Sequence, residues 1–259
     1  MKIDRRKNYY LVLDTETCDE ITHPLVYDIG FVIADKQGNI YERRSYLVYE
    51  IFFGERELMK SAYYAEKVPM YMEDFKNKTR ICKRFFNIRK EIMELIDLYQ
   101  PVAVCAYNAA FDVRALNNTM RHLISGKAYG YYFPKSIAVY DLWTMACKTF
   151  LSYKSYASTA YANKWYSPAG NMRTSAEKAY AFLADVQDFE EAHTALEDSE
   201  IETIILAKCL RIGIKDKEAE YFPWKIPQPV FREYLAKIGL CREDLKNNYA
   251  VLVGGEECP

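Results

Sequence analysis

The opening fifty residues restrict the fold more than any other feature. Tyr9 to Leu13 is an apolar run, and Val26 to Ala34 is rich in Ile, Val and Phe. Ile40 to Tyr49 follows the turn signal Lys36-Gln37-Gly38-Asn39. Apolar runs bounded by turn residues read as strands, and short connections join antiparallel neighbours, so the three predict a meander. Helical patterns then take over. Between Ile81 and Tyr99 apolar residues fall at Ile81, Phe85, Ile88, Ile92, Leu95, Ile96 and Tyr99, close to the 3.6-residue period of an amphipathic helix. Pro101 marks its stop, and Val102 to Ala106 reads as a buried strand. Phe111 to Leu123 reads as helix and Ile137 to Tyr140 as a fifth strand. Thr174 with Glu177 has capping-box spacing, and a long helix runs around Thr194 to Arg211 before Gly213. The order βββ-α-β-α-β-α predicts an α/β fold. Its mixed five-stranded sheet has three antiparallel strands, then parallel ones, with helices on its faces.

Composition excludes several classes. With 50% hydrophobic and 15% aromatic residues, 23 of them Tyr, the chain has ample surface to bury and is not disordered. No apolar run approaches a membrane span. Lys2, Arg5, Arg6 and Lys7 resemble a signal peptide's basic start, yet Asp14 ends the apolar stretch behind them, so no signal is expected. Seven scattered Cys without a CxxC pair fit reduced thiols in a cytoplasmic protein. Residues 150–172, rich in Tyr, Ser, Ala and Asn, have no clear period and read as a loop-rich insertion. The stretch from Phe222 to Pro229 reads as a linker, which gives a main domain over 1–213 and a C-terminal extension over 214–259.

The residues that carry chemistry are carboxylates at strand ends. Asp14 and Glu16 follow the first strand, and in extended chain residues i and i+2 share a side. Asp-x-Glu occurs four times, at 14, 188, 198 and 216, but only Asp14 ends a run expected to be central and buried. Buried carboxylates need pairing or a metal. Asp112 follows the Val102–Ala106 strand through Asn108-Ala109-Ala110-Phe111. A place in the first turn of a helix, favoured by the helix dipole, would also explain it. The third group is His193-Thr194-Ala195-Leu196-Glu197-Asp198. If a helix begins near His193, Asp198 lies about 140° round from it, so the His would serve a site from the helix mouth. His is scarce, at three in the chain, although a satisfied surface or core His fits the same position. Three acidic groups of this kind suit two hard cations with shared carboxylate ligands, and a neutral His suits a general base.

Asp14-Thr15-Glu16-Thr17, Tyr107-Asn108-Ala109-Ala110-Phe111-Asp112 and His193 to Asp198 resemble, in order, the three motifs of the DEDDh family of 3′→5′ exonucleases. That family includes the proofreading subunit of bacterial DNA polymerase III and ribonuclease T. Tyr140-Asp141-Leu142 looks like a further segment found between the second and third motifs. The stretch from Thr174 through Ile205 is similar to exonucleases of the kind encoded by bacteriophages. The resemblance implies a ribonuclease H-like fold and two Mg²⁺ or Mn²⁺ ions. It implies that Asp14, Glu16 and Asp198 hold one ion and that Asp14 shares the second with Asp112. His193 would deprotonate the attacking water, and Thr15, Thr17, Asn108 and Phe111 would hold the terminal nucleotide. Partners would be a nucleic-acid 3′ end, with single-stranded DNA favoured and RNA open, and a polymerase or replication factor; no membrane is implied. Two departures stand where that nucleotide would lie: Cys18-Asp19 replaces the usual Thr-Gly, and Tyr107 the usual His.

Net charge is −1, but it is segregated. Acids gather at Asp14, Glu16, Asp19 and Glu20 and from Glu190 to Glu202. Lys76, Lys78, Arg80, Lys83, Arg84, Arg89 and Lys90 lie in fifteen residues that contain no acid. They read equally as a solvated face or as phosphate contacts. Tyr153, Tyr156, Tyr161, Trp165 and Tyr166 suit base stacking, and suit packing of the insertion better. A catalytically inactive binding or polymerase-accessory module and a phosphohydrolase of small nucleotides are the competing functions.

Overall fold

A computed structural model describes residues 3–124, 130–187, 189–190 and 193–253; Lys2, Cys258 and the end of the C-terminal extension lie outside them. The meander forms as expected, with β1 (Tyr9–Cys18), β2 (Leu25–Asp35) and β3 (Ile40–Val48) antiparallel. Short helical turns follow, α1 (Tyr49–Phe52) and α2 (Arg56–Met59), then α3 (Val68–Lys76). Next come β4 (Ile81–Lys83), α4 (Phe85–Tyr99), β5 (Ala103–Ala106), α5 (Ala109–Leu123), β6 (Ala138–Asp141) and α6 (Leu142–Cys147). Among the described residues α7 (Lys154–Ala162), α8 (Ala176–Ala184), α9 (Ala195–Ile212), α10 (Gln228–Lys237) and α11 (Arg242–Val253) follow.

Among the described residues the sheet has six strands rather than five, in the order β4-β3-β2-β1-β5-β6. The added strand lies where helix was expected from Ile81. Arg84 is extended, at φ −68° and ψ 140°, so the helix starts only at Phe85 and Ile81–Lys83 pairs in parallel with β3. The other parallel pairs are β1 with β5 and β5 with β6. Strand β1 is also longer than its apolar run. It continues through the acids to Cys18, with a bulge where Tyr27 of β2 is the extra residue opposite Glu16 and Thr17. Pairing with β2 supplies the backbone bonds that hydropathy alone cannot reveal.

Alternation along β1 divides the interior. Tyr9, Leu11 and Leu13 face one core with Ile88 and Ile92 of α4 and Leu116 of α5. Tyr10 and Val12 face a second core with Ile205 and Leu206 of α9. Asp14 and Glu16 continue the second series, toward α9, while Thr15 continues the first, toward α5. The 150–172 region is not loop-rich throughout. It folds as a 3₁₀ turn and α7, and Tyr156, Trp165 and Tyr166 are buried in the second core, so packing is the outcome for these rings. The Phe222–Pro229 stretch contains a 3₁₀ turn at Pro223–Lys225, and Phe231 and Leu235 of α10 enter the same core. The start of α8 is capped by Ser175, whose hydroxyl accepts from the Lys178 N–H, and not by Thr174.

Helix α9 lies directly on the meander. A Cβ built on Gly30 would sit 2.0 Å from the Ala195 carbonyl carbon, so only glycine permits this contact. Ser199 Oγ donates to Gly30 O at 3.0 Å, and Ala195 N donates to Asp28 Oδ2 at 3.3 Å. Asp14 is the β1 partner of Gly30, so the contact that admits α9 also sets the distance from Asp14 to Asp198. Gly30→Ala is therefore expected to push α9 off the sheet. Denaturant unfolding should report a loss of at least about 2 kcal/mol, in the range of overpacked cores. The same variant should bind divalent cations more weakly in calorimetry.

Candidate metal-dependent active site

The site lies along the C-terminal half of β1, just past the C-terminal end of its parallel neighbour β5, the usual side for a ligand crevice in α/β sheets. One oxygen from each of Asp14, Glu16 and Asp198 lies within 4.8 Å of the others. Glu16 and Asp198 are buried and Asp14 keeps partial exposure. Asp112, in the first turn of α5, joins from the opposite side of β1. It accepts from Thr15 Oγ1 at 2.8 Å and is the strongest charged neighbour of Asp14. The helix start that presents it is held by Asp141, which accepts from Ala109 N at 2.9 Å and caps α6 through Thr144 N at 2.6 Å. Asp141 therefore ties two helix N-termini to the end of β6.

Burial and mutual repulsion push all four carboxyls upward. For Asp14 burial comes first, then Asp112, Glu202, Glu16 and Asp198. Glu16 and Asp198 are raised by burial and by acids around them, with Lys67 opposing in both. Asp112 is raised by burial, with its bond from Thr15 opposing. One oxygen of Asp198, Oδ1, is buried without a hydrogen-bond partner among the described residues. A cation satisfies all of this: hard carboxylate donors, excess negative charge and an orphaned oxygen.

Glu202, one helical turn beyond Asp198 on α9, is a further buried acid beside Asp14. Its i+4 spacing from Asp198 is legible in the sequence, but nothing there shows that this face of α9 meets β1. His193 does not begin the helix. It precedes Ala195 by two residues in a left-handed conformation (φ 49°), and its main-chain N–H bonds the Asp198 carboxylate. Its ring stacks on Tyr64 at 4.3 Å between centroids and 15° between planes, and Lys67 Nζ lies over the same Tyr64 ring at 5.3 Å from its centroid. Burial, then Lys67, pushes the imidazole below its ordinary range, so it is neutral at neutral pH.

The structure treats the other expected residues differently. Asn108 stands just before α5 in a left-handed conformation, without a side-chain capping bond, and lines a cavity that also reaches Asp14, Asp198 and Glu202. Phe111 is half-buried under the Arg114 guanidinium, and Thr17 sits at the β1 bulge. Tyr107 follows β5 rather than belonging to it, and its hydroxyl donates to Thr174 O. In the basic segment, Arg80 is spent on Asp28 and Asp74, Lys83 on Glu91, Arg89 on the Tyr132 carbonyl and Lys90 on Glu94. That leaves Lys76, Lys78 and Arg84 outside such pairing among the described residues. No described helix is long and apolar enough to cross a membrane.

No family model matches the chain, and no curated protein matches it. Among solved structures it is similar to exonuclease I at 14% identity and a TM-score of 0.45, over 79% of this chain and 41% of that one. It is likewise similar to the zinc-bound E. coli exonuclease I–ssDNA complex, at 14% identity and TM-score 0.45, over 89% of this chain and 43% of that one. The complex of E. coli exonuclease I with a 5cy-dT13 oligonucleotide gives the same figures. The chain thus spans about two fifths of the length of these proteins. Similarity at this level does not transfer substrate, metal or direction of cleavage.

The raised carboxyls fix a pH dependence. Asp112 and Asp198 titrate at about 7 in the folded chain and about 4 when unfolded, so the folded state holds more protons between those values. In a chelator, stability should therefore fall as pH rises from 5 to 8. Mn²⁺ should restore it, with a larger rise in Tm at pH 8 than at pH 5.5, of at least about 5 °C. Thermal melts at the two pH values check both parts.

Proposed function

We propose that this chain is a divalent-metal-dependent 3′→5′ exonuclease of the DEDDh kind, akin to those encoded by bacteriophages. It would hydrolyse single-stranded DNA or RNA ends to nucleoside monophosphates. The observation that carries this reading is the convergence of Asp14, Glu16 and Asp198 within 4.8 Å, with a buried Asp198 oxygen lacking a partner. The direction of attack rests on the three ordered motifs. In this reading the exonuclease domain covers 1–213 and residues 214–259 extend it.

Two Mg²⁺ or Mn²⁺ ions, when bound, would supply activation of the attacking water and relief of charge on the attacking and leaving oxygens. Asp14, Glu16 and Asp198 would hold one ion, and Asp14 and Asp112, the latter fixed by Thr15, would hold the second. His193 accepts the water's proton at an imidazole nitrogen, for which its neutral resting form is required. Tyr64 fixes the plane of that ring, and Lys67 disfavours its premature protonation. Asn108 borders the strand end at the cavity.

A 5′-labelled single strand incubated with Mg²⁺ or Mn²⁺ should shorten from its 3′ end and stay intact in EDTA. Asp14→Ala and Asp198→Ala should each lower the rate at least about a hundredfold, the scale of lost transition-state charge stabilisation. Label left at full length with both metals would sink the proposal. Tyr64→Ala should lower kcat by roughly tenfold with KM unchanged, part of what a positioned base contributes. Tyr64→Phe, which keeps the stack, should retain the wild-type rate.

A further inference from the structure

Helix α9 carries a second acid on the face that bears Asp198. Glu202 stands four residues on, so the two side chains are neighbours one turn apart. That face is pressed onto the sheet by the close contact at Gly30, and Glu202 is only 3% exposed. The same face continues with Ile205, Leu206 and Cys209, all in the second core. An apolar side chain is therefore what packing alone would place at 202, and a buried acid there costs stability unless something compensates it.

The charge of Glu202 is felt on two strands. Among the charged neighbours that raise Asp14 of β1 it ranks after Asp112 and ahead of Glu16 and Asp198. With burial, it also pushes up the Cys105 thiol of β5. Glu202 thus faces the junction of β1 and β5, and it lines the same cavity as Asp14 and Asp198. Yet it stands outside the group of three, Asp14, Glu16 and Asp198, whose oxygens lie within 4.8 Å of one another.

We propose that Glu202 is a positioning residue for a cation at Asp14, acting at one remove: it attracts the ion and accepts hydrogen bonds from its hydration without touching it. The inference rests on the metal-dependent reading of this site. Small divalent ions keep part of their hydration when bound to protein carboxylates, and that water needs acceptors. Carboxylates that act in this way typically change metal affinity by about ten- to a hundredfold. The role has a signature that a purely structural acid lacks. Removing a structural acid breaks bonds the protein has made and lowers stability. Neutralising Glu202 instead relieves Asp14 of a repelling neighbour, so the metal-free protein gains stability while cation binding weakens.

Mn²⁺ calorimetry and thermal melts of the full chain at pH 8 read both halves. Glu202→Gln keeps the shape and removes the charge. It should raise the Mn²⁺ Kd about tenfold. In EDTA its Tm should lie about 2 °C above that of the wild type. Glu200→Gln is the control, an acid of the same helix paired with Arg43, and should leave the Kd within about twofold. A Kd for Glu202→Gln within about twofold of wild type overturns the role. So does a lower Tm in EDTA, or an equal loss of affinity in Glu200→Gln. A wild type that binds no Mn²⁺ overturns both this role and the exonuclease reading. Weaker Mn²⁺ binding in Glu202→Gln without strand shortening by the wild type keeps the role and sinks the exonuclease reading; shortening with an unchanged Kd does the reverse.

Discussion

The architecture depends on a backbone contact, the one between the start of α9 and β2 at Gly30. Helices normally stand off a sheet by the length of their side chains. Here the absence of a Cβ lets the Ala195 carbonyl carbon approach to a distance no other residue permits. Asp28 and Ser199 fasten the contact with hydrogen bonds on either side of it. Because Asp14 pairs with Gly30 across the sheet, the placement of Asp198 is inherited from this contact. The site is thus a property of helix-on-sheet packing as much as of the acids themselves.

The acids work against the fold. Four carboxyls are held where burial and each other's charge disfavour ionisation, and Glu202 adds a fifth nearby. Buried charge is tolerated only with compensation, and the compensation within the chain is sparse: Lys67 opposes the repulsion at Glu16 and Asp198, and Thr15 bonds Asp112. Contrast Asp28, equally buried, which has Arg80, Tyr71 and the Ala195 N–H around it. All three bonds converge on Asp28 Oδ2; its Oδ1 is buried without a partner among the described residues, and burial still raises the carboxyl, but a guanidinium stands beside it. The cluster around Asp14 is arranged to have its needs met from outside.

Much of this was legible in the residues. The meander, the order of elements and the last helix with its Gly213 cap follow from periodicity and turn chemistry. The three acids that converge are among those the motifs single out. What stayed hidden depends on long-range pairing. β1 runs on through Asp14 and Glu16 because β2 bonds it, and Ile81–Lys83 is a strand because β3 lies open beside it. Helical periodicity over 81–99 could not distinguish three strand residues ahead of Phe85. Glu202, Tyr64 and Lys67 belong to no motif, and only the docking of α9 and of the 56–67 segment brings them to the site. Gly30 was the one silent clue in plain view, a glycine inside an otherwise bulky strand.

If the chain is an exonuclease, the internal use of Arg80, Lys83, Arg89 and Lys90 has a consequence for how a strand would be gripped. Each phosphate neutralised on a single strand contributes about −0.7 to the slope of log K against log salt. With Lys76, Lys78, Arg84 and Arg89 outside ion pairs in that segment among the described residues, since Arg89 bonds a carbonyl, its share of the slope is capped at about −3, by the same rule. Affinity that persists at high ionic strength would then have to come from contacts other than this segment's counterion release. On the exonuclease reading, such a protein would hold a strand locally at its tip rather than slide along its length.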